Sequence, residues 1–128
     1  MLLNILLVGA GGALGALSRY GISTAANRFL GTQFAWGTFG ANILGCLIIG
    51  FLFAWIEVHN FWGPSEKLFF MAGFLGAMTT FSTYALESIR FAQTGALGLG
   101  ITNVVANHVV GLCSVLIGMW LGNLRAGG

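Results

Sequence analysis

The sequence predicts an all-α membrane protein with four transmembrane helices, the third of them broken. Hydrophobic residues make up 57% of the 128 residues and charged residues only 6%, whereas a soluble domain carries about 25% charged residues. Four apolar segments each approach the roughly 20 residues that a spanning helix needs. So few charged side chains cannot cover a soluble surface, and the chain is therefore predicted to cross a membrane several times.

The first two predicted helices cover about residues 2–24 and about residues 36–58, with a polar connection between them. Each helix carries small residues spaced four apart, an arrangement that lets helices approach closely in lipid. These residues are Gly11 and Gly15 in the first helix, and Gly37, Ala41 and Gly45 in the second.

The last two predicted helices cover about residues 68–91 and about residues 97–121, and a turn around Pro64 precedes the third. No loop is long enough for a soluble domain, so residues 1–128 are predicted to form one membrane domain. A single bundle of four helices encloses a pore poorly, so we expect an oligomer. One face of the fourth helix carries a stripe of small and polar residues: Asn107, Gly111, Ser114, Gly118 and Gly122.

The third helix is predicted to break in its middle. Gly73 and Gly76 weaken the helix there. In hydrocarbon, a freed backbone group needs a partner within the protein, and Ser or Thr side chains can provide it. A break at membrane depth is typical of the place where a transporter or channel handles its solute. Four hydroxyl side chains follow the glycines within five positions: Thr79, Thr80, Ser82 and Thr83.

Three asparagines lie within the predicted spans: Asn42 in the second helix, and Asn103 and Asn107 four residues apart in the fourth. A buried amide costs free energy unless it is paired. One interpretation is hydrogen bonding between helices, worth about 1 kcal/mol. The other is that the amide N–H groups donate to an anion. The sequence leaves both interpretations open.

Three other residues also allow more than one interpretation. Arg19 lies near the end of the first helix, where its side chain could reach the interface. Glu87 could pair with Arg90 one turn later, or act as a functional intramembrane acid. Phe81 could provide packing bulk, or it could turn its positive ring edge towards a small anion.

Charge and motif content exclude several classes of protein. The chain has a net charge of only +2 and lacks the basic stripe of a nucleic-acid-binding protein. We find no Ser-His-Asp set, phosphate loop or zinc spacing, so we expect no enzyme, and we assign no role to His59 or His108. Lys and Arg are nearly balanced between the two sides of the membrane, so the positive-inside rule hardly specifies an orientation. A single weak orientation and the pairing of inverted copies both remain open.

Four motifs, in this order along nearly the whole chain, resemble those of the Fluc/CrcB fluoride channel family. They are GALSRY at residues 15–20, GTFGANILG at 37–45, GFLGAMTTFST at 73–83 and NVVANHVVG at 103–111. The resemblance implies an antiparallel, dual-topology homodimer with two fluoride pores, inserted as a multi-pass protein in the bacterial inner membrane. It also implies a structural sodium ion (Na+) at the dimer centre, held by backbone carbonyls at the positions of Gly76 and Thr79.

The same resemblance implies which residues line the fluoride path. The pore asparagine of the family corresponds to Asn42, and the first pore phenylalanine corresponds to Phe81. The second corresponds to Tyr84, a departure from the commoner phenylalanine. The departure matters because a phenol can donate an O–H hydrogen bond as well as present a ring edge. Further candidates within or beside the motifs are Ser82, Thr83, Asn107 and Ser114 for the pore, together with Arg19 and Glu87.

The implied function is passive export of cytoplasmic fluoride, which confers fluoride resistance. The alternative is a proton-coupled exporter of the small multidrug-resistance type. That alternative would need a buried carboxylate in the first helix, yet no Asp or Glu precedes Glu57. A membrane scaffold without transport would explain the glycine stripes but not the hydroxyl cluster.

Overall fold

A computed structural model describes residues 1–127, and every regular element in this range is helical. Four helical stretches are long and apolar enough to cross a membrane: Leu2–Leu30, Trp36–His59, Pro64–Gln93 and Leu97–Arg125. The first, α1 (Leu2–Leu30), continues past its predicted end near residue 24. The prediction follows the hydrophobic pattern, which stops before the polar residues of the last helical turns. The second is α2 (Trp36–His59).

The third stretch is composite. It begins with α3 (Pro64–Lys67), continues as a π-helical segment (Leu68–Leu75) and a short α4 (Gly76–Met78), and resumes as α5 (Phe81–Gln93). The last helix, α6, covers Leu97–Ala126.

Extended backbone interrupts the third stretch at Thr79 and Thr80. Their φ and ψ angles are −86° and 154°, and −150° and 118°. Gly73 and Gly76, which the sequence analysis singles out as weak points, are both helical. Gly73 is required for a different reason: a Cβ there would lie 2.9 Å from the carbonyl oxygen of Val8 in α1. The glycine serves close packing, and the threonines form the break.

Glycines bring the helices into backbone contact. In α1, a Cβ on Gly11 would overlap the carbonyl oxygen of Phe69, and a Cβ on Gly15 would overlap that of Phe74. The long α2 packs along α6 in the same way, with Gly50 lying on the carbonyl of Val115. Such contacts suit a membrane, where van der Waals packing rather than the hydrophobic effect holds helices together. They bring α2, α5 and α6 together beside the break.

Candidate functional site: a cavity beside the helix break

Asn42 of α2 binds the extended backbone at the break from two directions. The N–H of Thr80 donates to Oδ1 of Asn42 at 2.7 Å, and Nδ2 of Asn42 donates to the carbonyl of Thr80 at 3.1 Å. Helical bonding is interrupted at Thr80, and backbone groups in hydrocarbon must find partners inside the protein. One carboxamide satisfies both groups, so Asn42 stabilises the break.

A network of three asparagines, Asn42, Asn103 and Asn107, connects this contact to α6. Nδ2 of Asn42 also donates to Oδ1 of Asn107 at 2.9 Å. Nδ2 of Asn107 donates in turn to the carbonyl and to Oδ1 of Asn103, at 2.8 and 3.1 Å. Asn103 is fully buried and donates to Oγ of Ser88 in α5 at 2.9 Å. This geometry contains the interhelical bonding that is one of the two interpretations of the sequence.

The network occupies the N–H donors of Asn42. A carboxamide has two N–H bonds, and Asn42 donates one to the carbonyl of Thr80 and one to Asn107. An anion that binds Asn42 directly has to take over one of these hydrogen bonds. Direct anion binding by Asn42 therefore stays a prediction with a defined requirement.

The hydroxyl cluster serves mainly the backbone around the break. The Thr80 hydroxyl accepts the N–H of Thr83 at 3.3 Å, which caps the start of α5, and it donates to Oγ1 of Thr83 at 3.0 Å. The Thr79 hydroxyl donates to the carbonyl of Leu75 at 3.0 Å. Ser82 is exposed, with its Oγ 3.5 Å from that of Thr80. Hydroxyls thus replace helical hydrogen bonds, as expected for Ser and Thr at a membrane break.

The carbonyls of Gly76 and Thr79 are among those that lose their usual helical partners at the break. In an uninterrupted α-helix, each carbonyl accepts the N–H four residues later. The N–H of Thr80 would serve Gly76 but donates to Asn42, and the N–H of Thr83 would serve Thr79 but donates to the Thr80 hydroxyl. The carbonyls of Gly76 and Thr79 are thereby released from the helical pattern.

A cavity of about 380 Å³ opens beside the break. Phe81 lies at its exposed side, with 72% of its surface accessible, while Tyr84 is 6% accessible. The two rings meet edge to face, with centroids 5.0 Å apart and planes at 85°. Six of the sequence-predicted site residues line the cavity: Asn42, Gly76, Thr79, Phe81, Tyr84 and Asn107.

The other predicted site residues lie outside the lining of that cavity. Ser82 and Thr83 flank it at the start of α5, and Ser114 is buried further along α6. Arg19 of α1 contacts the third span just before the break. Its Nε–H donates to the carbonyl of Ala77 at 3.1 Å, so its described contact is a backbone group just before the break.

Glu87 is bonded to α2 rather than to its own helix. The hydroxyl of Thr38 donates to Oε1 of Glu87 at 2.7 Å, and within residues 1–127 Oε2 is buried without a hydrogen-bond partner. Among the contacts of residues 1–127, the pairing of Glu87 with Arg90 that their spacing allows is not formed. The sequence does not predict Thr38 as a partner of Glu87, because helix spacing indicates neighbours only within one helix.

His108, to which the sequence assigned no role, also lies at the site. It lines the cavity, and its Nδ1 lies 2.9 Å from the carbonyl of Val104. Its Nε2 lies 3.5 Å from the hydroxyl of Tyr84. The sequence does place this histidine within the fourth predicted span, directly after Asn107. A titratable residue within a span is a functional candidate by default.

The fold and the cavity together define a small protein with four helical stretches long and apolar enough to cross a membrane, the third of them broken beside a cavity with both polar and apolar lining residues. Residues 6–119 match the family described as "CrcB-like protein, Camphor Resistance (CrcB)", and the chain belongs to this family. The family resemblance inferred from the sequence motifs is thereby confirmed.

Three relatives share the name "Fluoride-specific ion channel FluC". The one from Dehalococcoides mccartyi is 45% identical over 121 residues, covering 94% of this chain and 93% of the relative. The one from Clostridium perfringens is 42% identical over 123 residues, covering 96% of each chain. The one from Acidobacterium capsulatum is 39% identical and covers 94% of this chain and 97% of its own.

Proposed function

We propose that this protein is a passive, fluoride-selective channel that lets cytoplasmic fluoride leave the cell. The observation that carries the proposal is the cavity at the helix break, which is bordered by hydroxyl, amide and aromatic-edge donors in a chain similar to fluoride channels over 94% of its length. The chain is accordingly a transport protein rather than an enzyme. We propose the bacterial inner membrane as its location.

Fluoride is small and strongly hydrated, so its path must replace water with donors that do not trap the ion. Phe81 offers a positive ring edge, and Tyr84 offers an O–H group. Asn42 and Asn107 contribute amide N–H groups when the ion displaces a hydrogen bond between them. Ser82 and Thr83 lie where the ion would enter or leave the cavity, and Ser114 would extend the path along α6.

We also propose that the released carbonyls of Gly76 and Thr79 hold a structural sodium ion between two copies of the chain. Carbonyl oxygens are hard ligands suited to such a cation, and the break frees them from the helix. When bound, the ion would neutralise carbonyl dipoles that hydrocarbon cannot solvate. The two copies would form an antiparallel, dual-topology homodimer, in accord with the nearly balanced Lys and Arg residues.

Fluoride currents through purified protein in planar bilayers test the channel. Phe81→Ile keeps bulk and removes the ring quadrupole, while Asn42→Asp replaces an N–H donor with a carboxylate. Each is expected to reduce fluoride current at least about tenfold, the equivalent of about 1.4 kcal/mol. Chloride should carry no current in the unmodified protein.

Matched controls outside the cavity are Phe29→Ile, which changes an 81% exposed ring at the end of α1, and Asn123→Asp near the end of α6. Both should conduct like the unmodified protein, and all four variants should keep the dimer peak in size-exclusion chromatography. Absence of fluoride current from unmodified, correctly assembled protein would contradict the proposed function.

Sodium removal tests the second proposal separately. Protein exchanged into a large organic cation such as N-methylglucamine should lose current or dissociate, and sodium should restore it. Full current after verified sodium removal would contradict the sodium site while leaving the fluoride channel intact.

A further inference from the structure

Tyr84 is a buried phenol whose hydroxyl has one described partner. The residue is 6% accessible, and a buried tyrosine normally finds a hydrogen-bond partner for its O–H group. Within residues 1–127 that partner is Nε2 of His108, at 3.5 Å from the hydroxyl oxygen. The two rings also meet edge to face, with centroids 5.6 Å apart. His108 therefore contacts the Tyr84 ring and its hydroxyl together.

The backbone of α6 selects the tautomer of His108. Its Nδ1 lies 2.9 Å from the carbonyl of Val104, and a carbonyl can only accept, so the neutral ring carries its proton on Nδ1. The hydrogen bond made by one ring nitrogen decides which nitrogen is free. Nε2 is then an acceptor, and the Tyr84 hydroxyl donates its hydrogen bond to this nitrogen. In this state the hydroxyl cannot donate to an anion in the cavity.

Protonation of His108 reverses this arrangement. Both ring nitrogens become donors, so Nε2–H points at the Tyr84 oxygen and the phenolic proton has to turn away. Both Tyr84 and His108 line the cavity, together with Phe81, Asn107 and Thr80. The titratable groups that line the cavity with His108 are Tyr84 of α5 and Cys46 of α2, and the charged side chains of residues 1–127 lie outside its lining.

We propose that His108 is a positioning residue. Its protonation state decides whether the hydroxyl of Tyr84 can donate a hydrogen bond to an anion in the cavity. Neutral His108 accepts the hydrogen bond of the Tyr84 O–H, whereas protonated His108 leaves that O–H free to donate a hydrogen bond to the anion and adds a positive charge nearby. This inference rests on the proposed fluoride channel. It adds His108 as a partner of Tyr84, the tyrosine at the second pore aromatic position. It predicts tighter fluoride binding in acid.

The pH profile of fluoride current tests the proposal, because electrical recording ignores uncharged hydrogen fluoride. Recordings between about pH 5 and about pH 8 cover the range in which histidine side chains change their charge. The half-saturating fluoride concentration of the unmodified channel should fall about tenfold in acid, as expected when a donor and a charge act together. An unchanged half-saturating concentration would overturn the proposal.

Three variants separate the roles of charge and hydroxyl. His108→Gln keeps a neutral acceptor in reach of Tyr84 and should abolish the pH effect. Tyr84→Phe keeps the titrating imidazole but removes the hydroxyl, and it should lose most of the effect. His59→Gln changes the other histidine, which lies at the end of α2 beside Trp55, and should retain the full effect. A full effect in Tyr84→Phe, or its loss in His59→Gln, would contradict the proposal.

Nitrogen NMR of the unmodified protein gives a readout that needs no variant to fold. With imidazole-labelled histidine, neutral His108 should show a protonated Nδ1 and an unprotonated Nε2. The reverse tautomer would overturn the proposal. If the unmodified protein carries no fluoride current, the proposed function fails; if current is present without a pH effect, only the role of His108 fails.

Discussion

Two contacts of the third span hold it in different ways. On one side, α1 packs on the π-helical segment and α4 through glycines whose backbone lies against backbone carbonyls, as Gly15 does on Phe74. On the other side, α2 and α6 reach the break through the asparagine network of Asn42, Asn103 and Asn107. The first contact depends on the absence of side chains, and the second depends on specific polar ones.

The difference shows why the break lies where it does. Close glycine packing holds the first half of the span against α1 without specifying hydrogen bonds, whereas Asn42 satisfies the N–H and carbonyl of one residue, Thr80. An unsatisfied backbone group in hydrocarbon costs several kcal/mol. The amide contact therefore makes Thr80 the favourable position for extended backbone, and the glycine contact keeps the helix before it in place.

The largest effect is expected from breaking the glycine contact. In Gly15→Val, the new Cβ would overlap the carbonyl of Phe74 and approach the amide nitrogen of Met78. Overpacking against backbone should destabilise the protein by about 3 kcal/mol, measured as thermal unfolding in detergent. Gly9→Val is the matched control in the same helix, because a Cβ at Gly9 meets nothing within 4 Å. Equal stability of the two variants would contradict the close contact.

A somewhat smaller effect is expected from breaking the asparagine network at its buried end. Asn103→Leu removes the side-chain oxygen that accepts from Asn107 and the N–H that donates to the Ser88 hydroxyl, while Asn107 keeps its bond to the backbone carbonyl of residue 103. Losing such buried bonds should cost about 2 kcal/mol. Thr102→Val is the control at the next position, where an exposed hydroxyl donates only to its own helix. If Thr102→Val unfolds as early as Asn103→Leu, the network does not carry this stability.

The cap at the break should contribute less than either contact. Thr80→Val keeps the shape of the side chain but removes the hydroxyl that accepts the N–H of Thr83. Loss of such a cap costs about 1 kcal/mol, which should appear as a lower unfolding temperature. Thr80→Ser retains the hydroxyl and should behave like the unmodified protein. A Thr80→Ser variant as unstable as Thr80→Val would indicate methyl packing instead of capping.

The smallest effect on stability is expected at Phe81, which belongs to neither contact. Its ring is 72% accessible, and substitutions at such positions usually change stability by about 0.5 kcal/mol or less. Phe81→Ile should therefore unfold at nearly the same temperature as the unmodified protein although its fluoride current is reduced. A large loss of stability would show that the ring packs, and its loss of current would then carry no information about the ion path.

The sequence predicts much of the architecture, because the length of apolar segments and the spacing of small residues are local properties of the chain. Apolar length predicts four helical spans, and the spacing of Gly11 and Gly15 indicates a close helix contact. The motif at residues 73–83 also indicates the family, and the hydroxyl cluster predicts a candidate site in the third span.

Only the tertiary structure decided which polar groups meet. Asn42 joins Thr80 and Asn107, Glu87 joins Thr38 instead of Arg90, and His108 joins Tyr84. Each pairing connects two helices, and its geometry depends on which helix faces come together. Lipid does not order those faces by hydrophobicity, so the spacing of residues within one helix cannot specify partners on another.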